Sequence, residues 1–215
     1  MEVIVTIVTI DIDVQKGFSS LCPNELPVED ALSIVTELNY QATLSDFRVL
    51  TKDAHSSNAV WIVSSPEEML RPLSYKNANL TWVSHCLVGS EGFETLPGLP
   101  MSDEYDFIVY KGLENDMHPY GACYHDLDKK ISTGLLEWLS VKDANILLIG
   151  GLATDYCVKS TVLQLLEYSK QWKVIVNLAA CRGITNKTIE LAVEQMRQSG
   201  AILVEKTESI REFLK

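Results

Sequence analysis

The chain has 215 residues, of which 29 are acidic and 18 basic, giving a net charge of −11 at pH 7. This length fits one domain, and a hydrophobic content of 47% excludes a mainly disordered chain. The negative field would repel polyanions, so we expect no nucleic-acid partner and no anionic membrane surface. No apolar run reaches the roughly 18–20 residues of a membrane-spanning helix, and the N-terminus lacks the basic residues of a secretory signal.

The cysteines are odd in number and widely spaced, which argues against a disulfide framework or a zinc ribbon. We therefore expect reduced thiols in a cytoplasmic protein. The five positions are Cys22, Cys86, Cys123, Cys157 and Cys181.

Short apolar runs rich in β-branched residues predict strands, and apolar stripes at helical spacing lie between them. Strands are predicted at 3–10, 47–50, 107–110, 146–149, 174–178 and 202–204. Helices are predicted around 31–38, 131–139, 158–166 and 189–196, the last capped by Thr185 and ended by Gly200, with a short terminal helix over 205–215. The pattern indicates an α/β fold with three layers: a mostly parallel six-stranded sheet with helices on both faces.

The stretch at about 56–105 interrupts this alternation and is rich in Ser, Asn, Pro and Gly. An irregular segment of this length within a compact domain usually serves a function. We expect it to be an insertion that forms part of a site, within a single domain spanning 1–215.

Polar residues directly follow four of the predicted strands. In open α/β sheets, ligands bind beyond the carboxyl ends of the strands. The sequence therefore predicts that carboxylates, an ammonium, a thiol and a metal-ligating pair meet at one edge of the sheet. The residues concerned are Asp11, Asp13, Lys52, Asp53, His55, Lys111 and the run 150–157.

Cys157 is a candidate nucleophile. If Thr154 caps the following helix, Cys157 lies in the first turn, where free amides and the positive helix end would lower its pKa. The Gly150-Gly151 turn would let backbone amides approach a ligand closely, as an oxyanion hole requires. A buried, unreactive thiol is the alternative, and position alone does not decide between the two.

Asp13 and Lys111 are natural partners for such a thiol, because a carboxylate beside a lysine can accept the thiol proton. Taken singly, each residue could equally be a turn cap or a surface charge. Their positions at neighbouring strand ends favour an acid–base set.

Asp53 and His55 are two residues apart, so in extended chain both side chains lie on one face. With His85 they could form a three-ligand metal site that keeps open positions. Capping or ion-paired roles remain the alternative for these residues. His118 and His125, in a tyrosine-rich loop after Lys111, are expected to be surface or lid residues.

Five blocks of sequence occur in a recognisable order: Ile12–Phe18, Lys52–His55, Trp82–Cys86, Val109–Gly112 and Gly151–Val158. Together they resemble the nicotinamidase branch of the isochorismatase-like cysteine hydrolases. The resemblance runs from about residue 3 to residue 204. The Ala-Thr-Asp-x-Cys block is typical of the whole superfamily, whereas Asp-x-His together with Trp-x-x-His-Cys is more specific to nicotinamidases.

The resemblance implies hydrolysis of nicotinamide to nicotinate and ammonia through a cysteine thioester, in NAD salvage, with pyrazinamide as a further substrate. It implies Asp13, Lys111 and Cys157 as the catalytic triad, with an oxyanion hole made by the amides of Ala153 and Cys157. A cis peptide is implied at Leu152-Ala153.

The resemblance also implies a divalent metal ion that binds the ring nitrogen of the substrate, with zinc as the first candidate and iron or manganese as alternatives. It assigns this ion to Asp53, His55 and His85. Residues implied in substrate binding are Phe18, Trp82, Tyr156 and Gln15, the first two stacking on the pyridine ring.

One departure from the family pattern concerns the metal. Many members have another histidine shortly after Asp-x-His, where this chain has Ser56-Ser57-Asn58. Water, or an acid such as Glu67 or Glu68, is expected to fill that position. Another amidase acting on a carbamoyl or ureido substrate, or a non-catalytic binding protein, remains the alternative function, and homo-oligomerisation is left open.

Overall fold

The computed structural model of the protein describes residues 5–214. Six parallel strands form the central sheet in the order β5-β2-β1-β6-β7-β8, and a separate pair, β3-β4, is also parallel. The strands are β1 Thr6–Ile12, β2 Phe47–Asp53, β3 Ile62–Val63, β4 Trp82–Val83, β5 Phe107–Lys111, β6 Ala144–Leu152, β7 Lys173–Arg182 and β8 Ile202–Val204. The α-helices are α1 Ile34–Ala42, α2 Leu135–Val141, α3 Lys159–Tyr168 and α4 Asn186–Ser199.

Successive buried residues along the strands point to opposite faces of the sheet, and helices cover both faces. On one face, side chains of α2, α3 and α4 pack on strand residues such as Ile10 and Leu147. On the other face, Ile34 and Leu38 of α1 pack against residues such as Leu50. The predicted three-layer α/β architecture with a six-stranded parallel sheet is confirmed.

Some boundaries differ from the sequence expectation. The first two residues of the predicted strand 3–10 lie outside the described residues, and β1 continues to Ile12. Helix α2 begins at Leu135 rather than near 131, because Gly134 adopts a left-handed conformation at its start. Thr185 accepts a hydrogen bond from the amide of Thr188 and Gly200 ends α4, both as predicted. The tail forms a 3-10 helix over Thr207–Phe213.

The segment 56–105 contains little regular structure apart from β3, β4 and short 3-10 turns. It nevertheless has its own buried apolar contacts, in which Trp61, Ala78 and Trp82 pack together. Backbone hydrogen bonds join the insertion to the carboxyl end of the sheet. The amide of His55, just after β2, donates to the carbonyl of Cys86 in the insertion, and the amide of Ala54 donates to the carbonyl of Lys111 at the end of β5. Within residues 5–214, no helix combines the length and apolar character needed to cross a bilayer.

The strand order reverses between β1 and β6, which lie side by side in the middle of the sheet. Such a switch point leaves a crevice at the carboxyl ends of the two strands. Asp13 follows β1 there and Cys157 follows β6, while β2 and β5 contribute their last residues, Asp53 and Lys111, in register with each other. The topology thus brings four strand ends to one crevice.

Close packing of β6 on β1 requires a glycine at position 151. Its φ of 135° is unfavourable for other residues, and an added Cβ would overlap the carbonyl of Ile12. We expect Gly151→Ala to lower the free energy of unfolding by roughly 3 kcal/mol or more, since backbone strain and steric overlap add. Urea unfolding followed by circular dichroism would measure this change.

Gly200→Ala is the matched control, because φ is also positive (108°) but nothing lies within 4 Å of the added Cβ. It should cost only about 1–2 kcal/mol, the strain contribution alone. Equal losses for the two variants would contradict the packing argument.

Candidate active site

Lys111 lies at the centre of a buried group of acidic and thiol side chains. Its ammonium nitrogen is 2.8 Å from Asp13 Oδ2 and 3.7 Å from Cys157 Sγ, and it also contacts Asp53 Oδ1. Neither Lys111 nor Asp13 is exposed to solvent. The structure therefore brings together the three residues predicted as a triad, and the ammonium fills the space between the two carboxylates and the thiol.

The two carboxylates that share Lys111 differ in their proton affinity. Burial raises the pKa of Asp13 above its usual value, although Lys111 and a 2.6 Å hydrogen bond from Thr51 Oγ1 oppose this. Burial also acts on Asp53, but Lys111 and His55 outweigh it and hold the pKa of that carboxyl well below its usual value. Asp53 is thus ionised, whereas Asp13 has the higher affinity for a proton.

The helix start at Cys157 differs from the expected one. Thr154 does not cap a helix with its side chain; Thr154–Val158 form a π-helical turn that follows Ala153, and α3 begins only at Lys159. Burial raises the pKa of the Cys157 thiol well above its usual value, and Asp13 raises it further despite Lys111. The expected lowering by the helix end was therefore wrong, because the turn is buried beside carboxylates. The resting thiol is neutral and needs a base.

The peptide between Leu152 and Ala153 is cis, as the resemblance implied. It turns the chain from β6 into the π-helical turn, in which the amides of Tyr156 and Val158 bond to the carbonyl of Ala153. This turn carries the Ala153 and Cys157 amides that were predicted to form an oxyanion hole.

The three predicted metal ligands converge beside this cluster. Asp53 Oδ2 lies 3.5 Å from His55 Nε2 and 4.0 Å from His85 Nε2. Each histidine pairs its Nδ1 with a backbone carbonyl, that of Gly112 at 3.2 Å for His55 and that of Val83 at 2.7 Å for His85. This pairing is typical of metal-bound imidazoles and leaves Nε2 as the donor. Among residues 5–214, His55 Nε2 is buried without a hydrogen-bond partner.

These donors fit a divalent metal ion. Ligand atoms around a tetrahedral Zn²⁺ lie roughly 3.3 Å apart, close to the oxygen–nitrogen distances found here. His85 is also in the neutral form that binds metals, because burial and His55 lower its pKa to about 3. Gly112 (φ 75°) supports the arrangement, since an added Cβ would come within 2.5 Å of the His55 ring.

The sequence interpretation missed His118. It was expected at the surface or on a lid, but it is 4% exposed and its ring lies 5.1 Å from that of His55 and 5.8 Å from that of His85. Trp61 covers it at 4.4 Å, so it is buried because the insertion folds over the loop. No local pattern marks it, because the contact joins segments far apart in sequence. Glu67 and Glu68 lie away from this group: Glu67 is exposed and bonds with Ser65, and Glu68 pairs with Arg71.

A cavity opens beside Cys157. Three of the four predicted substrate-binding residues, Phe18, Trp82 and Tyr156, line it together with Asp53. Gln15 is not among its lining residues. Its buried amide instead bonds to the backbone of Asp53: the side-chain N–H donates to the Asp53 carbonyl, and the side-chain oxygen accepts from the Asp53 amide, at 2.8 Å each. Gln15 therefore fixes the position of Asp53.

Comparison with known proteins agrees with this geometry. The isochorismatase domain family model matches residues 7–208. The chain therefore belongs to the isochorismatase domain family, as its motifs indicated. Among its relatives is the nicotinamidase of Acinetobacter baylyi, which is 30% identical over 195 residues, covering 88% of this chain and 87% of the relative.

Solved structures place it in the same branch of the family. The nicotinamidase/pyrazinamidase of Acinetobacter baumannii superposes with a TM-score of 0.82 at 28% identity, covering 95% of this chain and 98% of the other. The pyrazinamidase of Pyrococcus horikoshii in complex with zinc has a TM-score of 0.71 at 25% identity, covering 92% and 98%. The resemblance to nicotinamidases is confirmed.

The charge environment of Cys157 predicts its reactivity. Asp13→Asn removes a negative charge next to the thiol, so we expect the pH at which Cys157 becomes alkylated by iodoacetamide to fall by about 1–3 units. Labelling across a pH series, read by mass spectrometry of the Cys157 peptide, would measure the shift. Asp103→Asn, at an exposed position, should leave the profile unchanged. A profile for Asp13→Asn that is unshifted or moves to higher pH would contradict the assigned environment.

Proposed function

We propose that the protein is a nicotinamidase that hydrolyses nicotinamide to nicotinate and ammonia through a thioester on Cys157. The observation that carries the proposal is the contact of Lys111 with Asp13, Asp53 and Cys157, beside a cavity with aromatic walls. The similarity to nicotinamidases over most of the chain supports the choice of substrate.

Asp13 is the base in this mechanism. It accepts the thiol proton of Cys157, and its raised pKa brings its proton affinity closer to that of the thiol. Lys111 stays charged, because its pKa is raised well above the usual value by Asp13 and Asp53, which together outweigh the effect of burial. Its ammonium therefore stabilises the thiolate as the proton leaves.

The thiolate then attacks the carboxamide carbon, and the amides of Ala153 and Cys157 stabilise the negative oxygen of the tetrahedral intermediate. The C–N bond breaks as Asp13 returns its proton to the nitrogen, so that ammonia leaves and the thioester remains. Asp13 next takes a proton from water, whose oxygen attacks the thioester carbon. The C–S bond then breaks, Asp13 passes that proton to the Cys157 sulfur, and the nicotinic acid formed leaves and loses its acid proton to solvent as nicotinate.

The other end of the substrate is bound by the aromatic residues and the metal donors. Phe18 and Trp82 enclose the ring, and a divalent ion held by Asp53, His55 and His85 would supply a Lewis-acidic anchor for the ring nitrogen. The buried His55 Nε2, which lacks a partner, supports this use of the site. Zinc is the ion we propose, with iron or manganese as alternatives.

Pyrazinamide carries the same carboxamide on an aromatic ring that also contains nitrogen, so we propose it as a second substrate. We also propose that the protein works in NAD salvage in the cytoplasm. All five cysteines are free thiols in the structure, in keeping with a reducing compartment.

Ammonia release from nicotinamide tests both the substrate and the nucleophile. We expect release by the metal-loaded wild type and a loss of about 10³-fold or more in Cys157→Ala, which removes the attacking atom. Cys123→Ala, at a buried thiol in the apolar core, is the control and should retain activity. No release by the wild type would contradict the nicotinamidase proposal, and unchanged release by Cys157→Ala would contradict the thioester route.

Thr51 tests the assignment of Asp13 as the base. Thr51→Val removes the hydrogen bond to ionised Asp13, so its pKa should rise by about 1–2 units, the equivalent of one bond to a charged group. A base works only when ionised, so the acid limb of kcat/KM should move to higher pH by the same amount.

The control is Thr9→Val, a buried threonine on β1 whose hydroxyl has no hydrogen-bond partner. Its pH profile should match that of the wild type. An acid limb that stays in place in Thr51→Val would show that Asp13 does not control the pH dependence.

A further inference from the structure

His118 is a buried polar side chain that neither the catalytic mechanism nor the family motifs use. Both of its ring nitrogens are buried without a hydrogen-bond partner in the described part of the chain. Leaving such groups unpaired costs free energy, so a histidine in this state is expected to have a ligand.

The position of His118 identifies that ligand. One ring nitrogen from each of His55, His85 and His118 lies within 4.8 Å of the others, and all three residues are buried. Buried imidazole nitrogens that lie this close together are donors that suit a divalent metal ion such as Zn²⁺.

Contacts with the insertion hold His118 in place. Its backbone amide donates a 2.7 Å hydrogen bond to the carbonyl of Asn77, and the indole nitrogen of Trp61 donates to the neighbouring carbonyl of Met117 at 3.3 Å. The Trp61 ring packs on the imidazole from one side. Both partners belong to the insertion at 56–105, so the insertion positions the loop that carries His118.

The segment that follows Asp53-Ala54-His55 offers no competing donor. Ser56 uses its hydroxyl to accept a hydrogen bond from the amide of Asn58, and Ser57 and Asn58 are exposed. The acids considered for this role, Glu67 and Glu68, interact with Ser65 and Arg71 instead. The ligand position that a histidine of this segment fills in many relatives therefore has no donor from residues 56–58 of this chain.

We propose that His118 is the fourth protein ligand of the metal ion, in addition to Asp53, His55 and His85. The proposal rests on the metal site of the proposed nicotinamidase. Three imidazoles and one carboxylate hold an ion more tightly than two imidazoles and one carboxylate. Because His118 also lines the substrate cavity, the ring nitrogen of a substrate would enter next to it, on an ion that can accept a further ligand.

Metal affinity tests this assignment without relying on catalysis. We would measure Zn²⁺ affinity by competition with a chromophoric chelator for the wild type, His118→Ala and His118→Phe. The phenylalanine variant keeps the packing against Trp61 but has no donor nitrogen. We expect both variants to bind Zn²⁺ at least about 10–100-fold more weakly, the loss already seen when only an outer-shell partner is removed.

The absorption spectrum of the Co²⁺-substituted protein gives a second readout. Loss of an imidazole ligand should change the positions and intensities of the visible bands in both variants. His125→Ala is the matched control, since His125 is in the same loop and half-buried but outside the group of three histidines. Its affinity and spectrum should equal those of the wild type.

Folded His118 variants with unchanged Zn²⁺ affinity and an unchanged Co²⁺ spectrum would overturn the proposal, as would a change confined to KM for nicotinamide. Because these readouts need no turnover, they remain decisive even if the wild type does not hydrolyse nicotinamide. Failure of the substrate assignment and failure of the ligand assignment are thus distinguishable.

Discussion

The contact of Lys111 with two buried carboxylates is the interaction on which the rest of the site depends. An unpaired charge in this position would be strongly destabilising, so the ammonium and the carboxylates of Asp13 and Asp53 require one another. The Lys111 ammonium also connects two parts of the site. The Asp13 carboxylate lies on the side of the Cys157 thiol and that of Asp53 on the side of the histidines, and both contact the same ammonium.

This arrangement is possible because of the strand order. β1, β2 and β5 are adjacent. Asp53 and Lys111 end β2 and β5, Asp13 directly follows β1, and β6 supplies the turn to Cys157 from the other side of β1. Parallel strands place all these ends in one crevice. The buried charges are therefore held at the ends of sheet strands. Thr51 donates a hydrogen bond to the Asp13 carboxylate, and Gln15 holds the backbone of Asp53.

The insertion at 56–105 completes the site from the outside. It contributes His85 and Trp82 directly, and its Trp61 covers the imidazole of His118. Its apolar residues form a small core of their own, which explains how a segment with little regular structure keeps His85 and Trp82 in place. The shell of aromatic rings also keeps water from the histidine nitrogens and so strengthens the electrostatic interactions in the site.

The sequence by itself determined the fold class and the strand ends that carry the polar groups. It could do so because strand and helix periodicity is local, and because the order of the motifs fixes which strand each residue follows. The residues predicted at these strand ends in this way, which the structure brings together, are Asp13, Asp53, His55, Lys111 and Cys157. Only the tertiary structure decided the raised pKa of Cys157, the role of Gln15 as a support for Asp53 and the burial of His118. Each of these depends on contacts between segments far apart in the chain, and burial, which sets the cost of a charge, is a property of the whole packed molecule.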